Sequence, residues 1–370
     1  MVEVTTDPTL LERPIEVRSG VSGIERPLAL LDAVRENAEP LLNLANRHVV
    51  SARQFDRETL VQLSRLAADM ERQPTLLHQP LSGKIMITAF YEPSTRTRLS
   101  FESAWHRLGG DVISITDPLT TGIAKGESLR DVAEMFSSYG DLVVLRDNSE
   151  GAIYETLNGL RIPIINAGNG IDEHPTQALA DLYAIFKWRP DLATASPKEK
   201  VRIGIIGTPA RMRTVRSLLI LLSMISHAIE EVVVINHDDD LFDDGQREEL
   251  EASGLNLNTE SNLASVLPDL DIVYINSIAW VGDTFERLTG DLRLTADSPL
   301  KEGAIVLHPL ARGPELDVTL DSTPHNWYFA QARGAVFIRM ALLTCITSRI
   351  SQVVDVPLPA ATVNEKTQTQ

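Results

Sequence analysis

The sequence is poor in cysteine, in positive charge and in long apolar runs. Cys345 is the single cysteine in 370 residues, which excludes an intrachain disulfide and a cysteine-rich zinc site, and its apolar surroundings predict a buried side chain. The 34 Lys and Arg against 51 Asp and Glu give a net charge of −17, which argues against nucleic acid as a partner. No stretch approaches the roughly 20 apolar residues of a membrane helix. The N-terminus also lacks a basic region followed by an apolar core, so we expect no membrane association and a cytoplasmic protein.

The glycine pattern of a dinucleotide-binding fold is also incomplete. Gly204 and Gly207 follow an apolar run that predicts a strand, but the third glycine of the fingerprint is missing. Three arginines crowd the same turn: Arg211, Arg213 and Arg216. We therefore expect no nicotinamide cofactor.

The sequence has the length and composition of a folded protein with two domains. Hydrophobic residues make up 43% and charged residues 23% of the chain, as is ordinary for globular proteins. Short β-like runs alternate with helical or loop segments in two series, which predicts an α/β fold with two parallel sheets flanked by helices. The predicted division is an N-terminal extension at 1–41, a first domain at 42–190 with a C-terminal helix at 335–352 packing back on it, a second domain at 196–334, and a disordered tail at 355–370.

The strongest local signal lies within residues 85–110. The apolar run Ile85–Phe90 predicts a strand, and apolar residues at helical spacing further on predict a helix. The turn between them carries Ser94, Thr95, Arg96 and Thr97. Hydroxyls and an arginine at a helix N-terminus, where backbone N–H groups are free, favour a phosphate. The alternative is that Ser94 merely caps the helix, but capping requires one hydroxyl rather than the whole run.

Four further groups of polar residues follow predicted strands. They are Lys125 in a Lys-Gly-Glu loop, Arg146, the His174-Pro-Thr-Gln177 segment, and the His308-Pro-Leu-Ala-Arg312 segment. Taken singly, each has a plainer explanation, such as a solvated charge, a surface ion pair or a helix start. Because ligands bind at the carboxyl ends of parallel strands, their convergence favours one ligand site.

These motifs, in this order, resemble those of the aspartate and ornithine carbamoyltransferases. Ser-Thr-Arg-Thr-Arg followed by Leu-Ser-Phe-Glu resembles their carbamoyl-phosphate signature. The likeness continues in AKGESL at 124–129, VVLR at 143–146, HPTQALADL at 174–182 and LHPLAR at 307–312. TPHNWYFAQA at 323–332 is similar to the aspartate enzymes and unlike the ornithine ones. The resemblance covers roughly residues 45–350 and implies transfer of a carbamoyl group from carbamoyl phosphate to an amino acid, without metal or cofactor.

The resemblance also implies a donor site. Its residues would be Ser94, Thr95, Arg96, Thr97, Lys125, Arg146, His174, Gln177, Pro309 and Leu310. The catalytic ones would be Arg96, Thr97, Lys125, Arg146 and His174. Gln177 and the backbone carbonyls of Pro309 and Leu310 would accept from the carbamoyl NH2. In the family, the counterpart of Lys125 reaches into the site of a neighbouring subunit, which implies a homotrimer.

The acceptor half departs from the family pattern. Arg213 matches the family arginine that grips the α-carboxylate of the acceptor. The family arginine that binds the acceptor's side-chain carboxylate is replaced here by Ser277. Losing this charge pair should weaken the binding free energy of a dicarboxylate acceptor by about 2–5 kcal/mol. Arg287 is one replacement, while Asp283 or Glu286 would suit a positively charged acceptor. The predicted acceptor contacts are Arg213, Ser277, Asp283, Arg287 and Leu310.

Three functions stay open on the sequence. The first is an aspartate-type carbamoyltransferase, which makes N-carbamoyl-L-aspartate and phosphate in pyrimidine biosynthesis. The second is a carbamoyltransferase for another amine-bearing amino acid, and the third is a non-catalytic scaffold. A separate regulatory or pathway partner chain also stays open. Ala311 stands where the family has proline after a cis peptide, so the geometry of the Leu310–Ala311 bond is a further open point.

Overall fold

The computed structural model describes residues 26–73, 79–276 and 292–354, and the backbone of 278–281 and 284–287. The helices are α1 (Pro27–Ala33), α2 (Glu39–Leu42), α3 (Arg57–Arg72), α4 (Thr95–Arg107), α5 (Leu129–Tyr139), α6 (Ala152–Leu157), α7 (Pro175–Trp188), α8 (Arg213–Ser223), α9 (Gln246–Ala252), α10 (Leu263–Val266) and α11 (Tyr328–Ile346). The strands are β1 (Ile85–Phe90), β2 (Asp111–Ile115), β3 (Leu142–Asp147), β4 (Ile164–Asn169), β5 (Val201–Ile206), β6 (Ile229–Ile235), β7 (Leu257–Glu260), β8 (Ile272–Ile275), β9 (Ile278–Val281), β10 (Thr284–Arg287) and β11 (Ile305–Leu307). The predicted tail at 355–370 lies outside the described residues.

Two parallel sheets flanked by helices form the framework, which confirms the predicted fold class. The first sheet has the order β2-β1-β3-β4 and the second β11-β8-β5-β6-β7. In the first, Thr88 of β1 pairs with Ser114 of β2 and with Val144 of β3, both in parallel. Because the strands run in the same direction, their carboxyl ends lie at one edge of the sheet. In the second, Ile205 lies between Val234 and Tyr274, with the same consequence.

Local chemistry explains where the main helices begin. The Asp56 carboxylate caps α3 by accepting from the backbone N–H of Thr59 at 2.8 Å. The Ser128 hydroxyl caps α5. Pro175 opens α7, where its missing N–H costs nothing.

Some elements differ from the sequence-based expectation. Strand β4 runs over Ile164–Asn169, although the β-like apolar run that marks it in the sequence, Ile162–Ile165, begins two residues earlier. Strand β7 was not predicted, because three of its four residues are polar and exposed. The antiparallel hairpin of β9 and β10 was not predicted either.

Helix α11 packs against α3, α4 and α7 of the first half, which confirms that a C-terminal helix returns to it. The helix begins at Tyr328 and ends at Ile346, so its predicted limits of 335 and 352 were wrong. Of the described residues, only this helix has the length and apolar composition to cross a membrane, and 78% of its most apolar window is buried inside the protein. The expectation that no stretch approaches that length therefore missed it, and its packing is that of a core helix.

The described part of the N-terminal extension also belongs to the folded core. Helix α1 packs against α3 and α7, and Leu30 is fully buried there. The remainder of the predicted extension, up to residue 25, lies outside the described residues.

The two halves meet through α7 of the first and α8 of the second, which pack on each other. Arg53 adds a bidentate ion pair, because its Nε and Nη2 each donate to the Glu249 carboxylate at 2.9 Å. This half-exposed pair is a second link between the two halves, beside the packing of α7 on α8.

Candidate active site

A cavity of about 340 Å³ lies between the two halves. Its wall residues follow or end six parallel strands: 92–97 after β1, Arg146 in β3, His174 and Gln177 after β4, 211–214 after β5, Asn276 after β8, and 309–311 after β11. This is where open α/β sheets bind ligands. The cavity therefore brings together distant segments that the sequence singled out one by one.

The N-terminus of α4 forms one wall. Ser94 occupies the N-cap position, but its side chain makes no capping hydrogen bond, so the alternative in which it merely caps the helix is wrong. The first-turn N–H groups of α4 stay available to an anion. Arg96 lines the same wall and has no ion-pair partner among the described residues; burial lowers the pKa of its guanidinium.

Glu92 joins the two halves of the cavity. Its carboxylate accepts from Arg146 Nη2 at 2.5 Å and from Arg213 Nη1 and Nη2 at 2.9 and 2.7 Å. Burial alone would raise the pKa of Glu92, but the hydrogen bonds and charges of the two arginines hold it below its usual value. Burial and the Arg213 charge lower the pKa of Arg146 to about 10, so Arg146 remains a cation at neutral pH.

His174 presents a neutral imidazole to the cavity. Its side chain is only 3% exposed, and burial, followed by the charges of Arg146, Arg213 and Arg339, lowers its pKa well below the usual 6.5. Its Nδ1 has no hydrogen-bond partner among the described residues. A neutral ring keeps one N–H donor and one acceptor nitrogen available.

The orientation of Gln177 is set from below the cavity. Its Nε2 donates to Asp181 Oδ1 at 2.7 Å, one helical turn further along α7. Gln331 Nε2, on α11, donates to the same oxygen at 2.5 Å. Because Asp181 Oδ1 accepts from both amides, the NH2 of Gln177 is committed to Asp181 and its Oε1 is left for the cavity. Burial raises the pKa of Asp181 to about 7.

A second chain of hydrogen bonds supports the 309–311 segment. The backbone N–H of His308 donates to Gln331 Oε1 at 2.9 Å, and the N–H of Leu310 donates to His308 Nδ1 at 2.7 Å. His308 Nε2 contacts the Glu315 carboxylate at 3.0 Å, which indicates that the ring proton is on Nε2. The Leu310–Ala311 peptide is cis, and Leu310 has a φ of 54°. The geometry of this bond, which the sequence left open, is therefore cis.

Most of the predicted donor residues line this cavity: Ser94, Thr95, Arg96, Thr97, Arg146, His174, Gln177, Pro309 and Leu310. Of the predicted acceptor contacts, Arg213 and Leu310 line it as well. Lys125 does not; its side chain is exposed at the end of a 3-10 turn over Gly122–Lys125. Ser277 and Asp283 lie outside the described residues, and Arg287 is described only as backbone of β10. No group of three or more metal-ligating side chains occurs among the described residues.

The structure adds four residues that the sequence analysis did not assign to the site: Glu92, Asp181, Arg211 and Gln331. Two of them carried a local signal. Glu92 directly precedes the hydroxyl-rich turn, and Asp181 stands four residues after Gln177, the spacing at which helical side chains meet. Gln331 had no such signal, because its partner Asp181 lies 150 residues away in the sequence.

Known proteins are similar to this chain in both sequence and fold. Residues 47–187 match the family described as aspartate/ornithine carbamoyltransferase, carbamoyl-P binding domain, and residues 199–346 match its Asp/Orn binding domain. The aspartate carbamoyltransferase catalytic subunit of Methanopyrus kandleri is 38% identical over 312 residues, covering 82% of this chain and 98% of that protein. The chloroplastic aspartate carbamoyltransferase 1 of Pisum sativum is 36% identical over 341 residues, covering 88% and 86%.

Solved structures agree with these matches. The aspartate transcarbamoylase of Trypanosoma cruzi in complex with aspartate and phosphate superposes with a TM-score of 0.75 at 33% identity, covering 85% of this chain and 99% of that one. The same enzyme with carbamoyl phosphate and aspartate gives a TM-score of 0.74 at 33% identity, covering 83% and 97%. The sequence matches, the shared fold and the position of the cavity lead to one conclusion: the chain belongs to the aspartate/ornithine carbamoyltransferase family.

Proposed function

We propose that this carbamoyltransferase moves the carbamoyl group of carbamoyl phosphate to the α-amino group of aspartate, which yields N-carbamoyl-L-aspartate and phosphate. The observation that carries the proposal is the single cavity in which the α4 N-terminus, two buried arginines, a neutral histidine and an oriented glutamine converge. The relatives and solved structures described above are named for aspartate, and none of them supports another acceptor.

In this proposal the phosphate of the donor lies at the N-terminus of α4. The hydroxyls of Ser94, Thr95 and Thr97 and the first-turn N–H groups donate to its oxygens, and Arg96 supplies a positive charge. The protein carries a net charge of −17. Local donors rather than the overall field must therefore bind this dianion.

The carbonyl oxygen of the donor gains negative charge as the amine attacks. Arg146, Thr97 and His174 surround the place where that charge develops. The low pKa of His174 keeps its ring neutral, so it acts as a hydrogen-bond donor rather than as a cation. Fixed donors of this kind stabilise the transition state without having to reorganise.

The carbamoyl NH2 is recognised by acceptors. Gln177 presents Oε1 because its own NH2 is bound to Asp181. The backbone carbonyls of Pro309 and Leu310, held in place through His308, complete the set. Three acceptors facing two N–H bonds favour a carbamoyl group over an acyl group, which has no N–H to donate.

The reaction needs no further reactant. The acceptor nitrogen forms a bond to the carbamoyl carbon, the bond from that carbon to the phosphate oxygen breaks, and the amine proton passes to the departing phosphate. Arg213 binds the α-carboxylate of the acceptor and so holds the amine near the donor. A carboxylate on Arg213 joins or displaces that of Glu92.

We also propose that the chain works as a homotrimer, in which Lys125 completes a neighbouring site. The exposure of Lys125, away from the cavity of its own chain, supports this arrangement. The domain division at 42–190 and 196–334 stays a proposal that the two family matches support. The cytoplasmic location and a separate partner chain stay predictions.

Mixing inactive variants tests the shared site. Lys125→Gln and Arg146→Ala are each expected to be inactive alone. After joint unfolding and refolding, a mixture regains part of the activity if Lys125 acts between subunits, because some sites then contain neither change. A mixture that stays inactive, with both variants refolded, contradicts the shared site.

The test of the function is phosphate release from carbamoyl phosphate with a panel of acceptors: aspartate, asparagine, ornithine and 2,3-diaminopropionate. We expect turnover to be fastest with aspartate and to be abolished in Arg146→Ala with the fold retained. Faster turnover with another amine would instead favour the second function that the sequence left open, a carbamoyltransferase for another amine-bearing amino acid. Absence of turnover with every acceptor, in protein that binds no carbamoyl phosphate by calorimetry, would favour the scaffold.

A further inference from the structure

An aspartate acceptor has a second carboxylate, and the cavity must bind it. Which residue binds it is a question that rests on the proposed function. The family places an arginine for that carboxylate where this chain has Ser277. Losing such a charge pair without replacement would remove most of the preference for a dicarboxylate.

Arg211 lies on the wall where the acceptor would stand. It belongs to the turn between β5 and α8, and it lines the cavity together with Arg213, Thr214 and Asn276 of the second half. The donor-binding groups of the first half form the opposite wall. Arg211 and Arg213 are two residues apart, so their Cα atoms are separated by at most about 7 Å. Two neighbouring cations match the two carboxylates of aspartate, which are separated by two carbon atoms.

The charges of the cavity arginines are not equally compensated. Arg146 and Arg213 share the carboxylate of Glu92. Arg96 belongs to the donor wall. The half-buried side chain of Arg211 makes no hydrogen bond or ion pair with any residue in the described part of the chain. On the acceptor wall, Arg211 is therefore the described cation that is free to receive a carboxylate.

The turn that carries Arg211 is well supported. Its backbone N–H donates to the Thr208 carbonyl at 3.0 Å. The Thr208 hydroxyl accepts from Asn236 Nδ2 at 2.9 Å, and Met212 is 2% exposed beneath the turn. Because the backbone of the turn is already held in place, only the side chain of Arg211 has to become ordered when a ligand binds. This lowers the entropy cost of binding.

We propose that Arg211 is the specificity residue of the acceptor site and binds the side-chain carboxylate of aspartate, in the role that the family gives to the arginine replaced by Ser277. A guanidinium suits this role because it receives a carboxylate in a bidentate manner. The plainer alternative is a solvated arginine at the cavity rim. The rival residue is Arg287, whose side chain lies outside the described part of the structure.

The experiment compares aspartate with asparagine, which differ only in the charge of the side-chain end. In Arg211→Gln we expect kcat/KM for aspartate to fall about 30-fold or more, while kcat/KM for asparagine changes less than about threefold. The KM for carbamoyl phosphate should stay the same, and Arg211→Lys should recover part of the loss because it restores the charge without the bidentate fork. Inhibition by succinate, which carries both carboxylates and no amine, should weaken in parallel.

Two further variants separate the outcomes. Arg293→Gln changes an exposed arginine of the same half, paired with Asp317, and should leave both substrates unaffected. If Arg287→Gln shows the aspartate-selective loss and Arg211→Gln does not, the role of Arg211 is overturned. An equal loss for aspartate and asparagine in Arg211→Gln also overturns it. If the wild-type chain fails to use aspartate, the proposed function itself fails.

Discussion

Replacing Asp181 by asparagine tests whether this buried carboxyl makes the stability of the protein depend on pH. Asparagine keeps an oxygen where Oδ1 accepts from Gln177 and Gln331, so both amides stay oriented. Its NH2 takes the place of Oδ2. The other groups that face this position are the Tyr274 hydroxyl, which accepts as well as donates, and the Arg339 guanidinium. The substitution therefore removes the titration and little else.

The magnitude follows from the pKa. Burial raises the pKa of Asp181 from the ordinary 3.8 to about 7, so the folded protein keeps a proton that the unfolded chain has already lost. More protons bound in the folded state mean that the stability from this group is fully present below about pH 4 and is lost as the pH rises to about 7. At about 1.4 kcal/mol per pH unit the loss amounts to ~4 kcal/mol, of which about 3 kcal/mol falls between pH 5 and pH 8.

Urea unfolding of the wild type and Asp181→Asn at pH 5, 6, 7 and 8 measures this difference. One protein concentration is used throughout, so that any association between copies of the chain contributes equally to every measurement. The stability of the variant relative to the wild type should rise by about 3 kcal/mol over that range. Asp244→Asn, at an exposed position, is the matched control and should follow the wild type. If the profiles of Asp181→Asn and the wild type run parallel, the reasoning about this carboxyl is refuted.

Three other changes have defined outcomes. Glu92→Gln removes the carboxylate between two buried arginines and should lower kcat/KM about 30-fold or more in steady-state assays, whereas an unchanged value would show that substrate carboxylates suffice. Lys187→Met removes the buried cation that faces Glu71, whose carboxylate keeps the Tyr183 hydroxyl at 2.7 Å and the partly exposed Arg333 at 3.3 Å; urea unfolding should show a loss of about 3 kcal/mol, and an unchanged stability would show that Tyr183 and Arg333 compensate the carboxylate alone. Gly168→Ala places a Cβ 3.1 Å from Arg213 Nε and 3.2 Å from Arg146 Nη1 at a φ of +112° and should reduce kcat/KM. Gly303→Ala carries a similar backbone strain at a φ of +78° but has nothing within 4 Å of the added Cβ, so it should keep full activity.

The predicted donor site could be identified from the sequence because most of its polar residues are close together in the chain. The strand Ile85–Phe90, the hydroxyl-rich turn and the start of α4 follow one another within a dozen residues, and periodicity locates all three. The Arg146 and His174 motifs follow apolar runs whose carboxyl ends meet at one edge of a parallel sheet. The predicted limits of α11 were wrong because its first two turns include Gln331 and Arg333, polar residues that break the apolar pattern although Gln331 is fully buried.

The sequence by itself determined the α/β class, the strand-turn-helix unit of the donor site and the family, since each depends on neighbouring residues or on motifs in a set order. Only the tertiary structure decided the electrostatics of the cavity. Glu92 meets Arg213 across 121 residues, and Asp181 meets Gln331 across 150. Such contacts determine which arginines are compensated, which amide oxygen faces the cavity and which carboxyl keeps its proton. They depend on how two sheets and α11 pack around one cleft, because burial and the distance between charges are properties of the folded chain that no local pattern encodes.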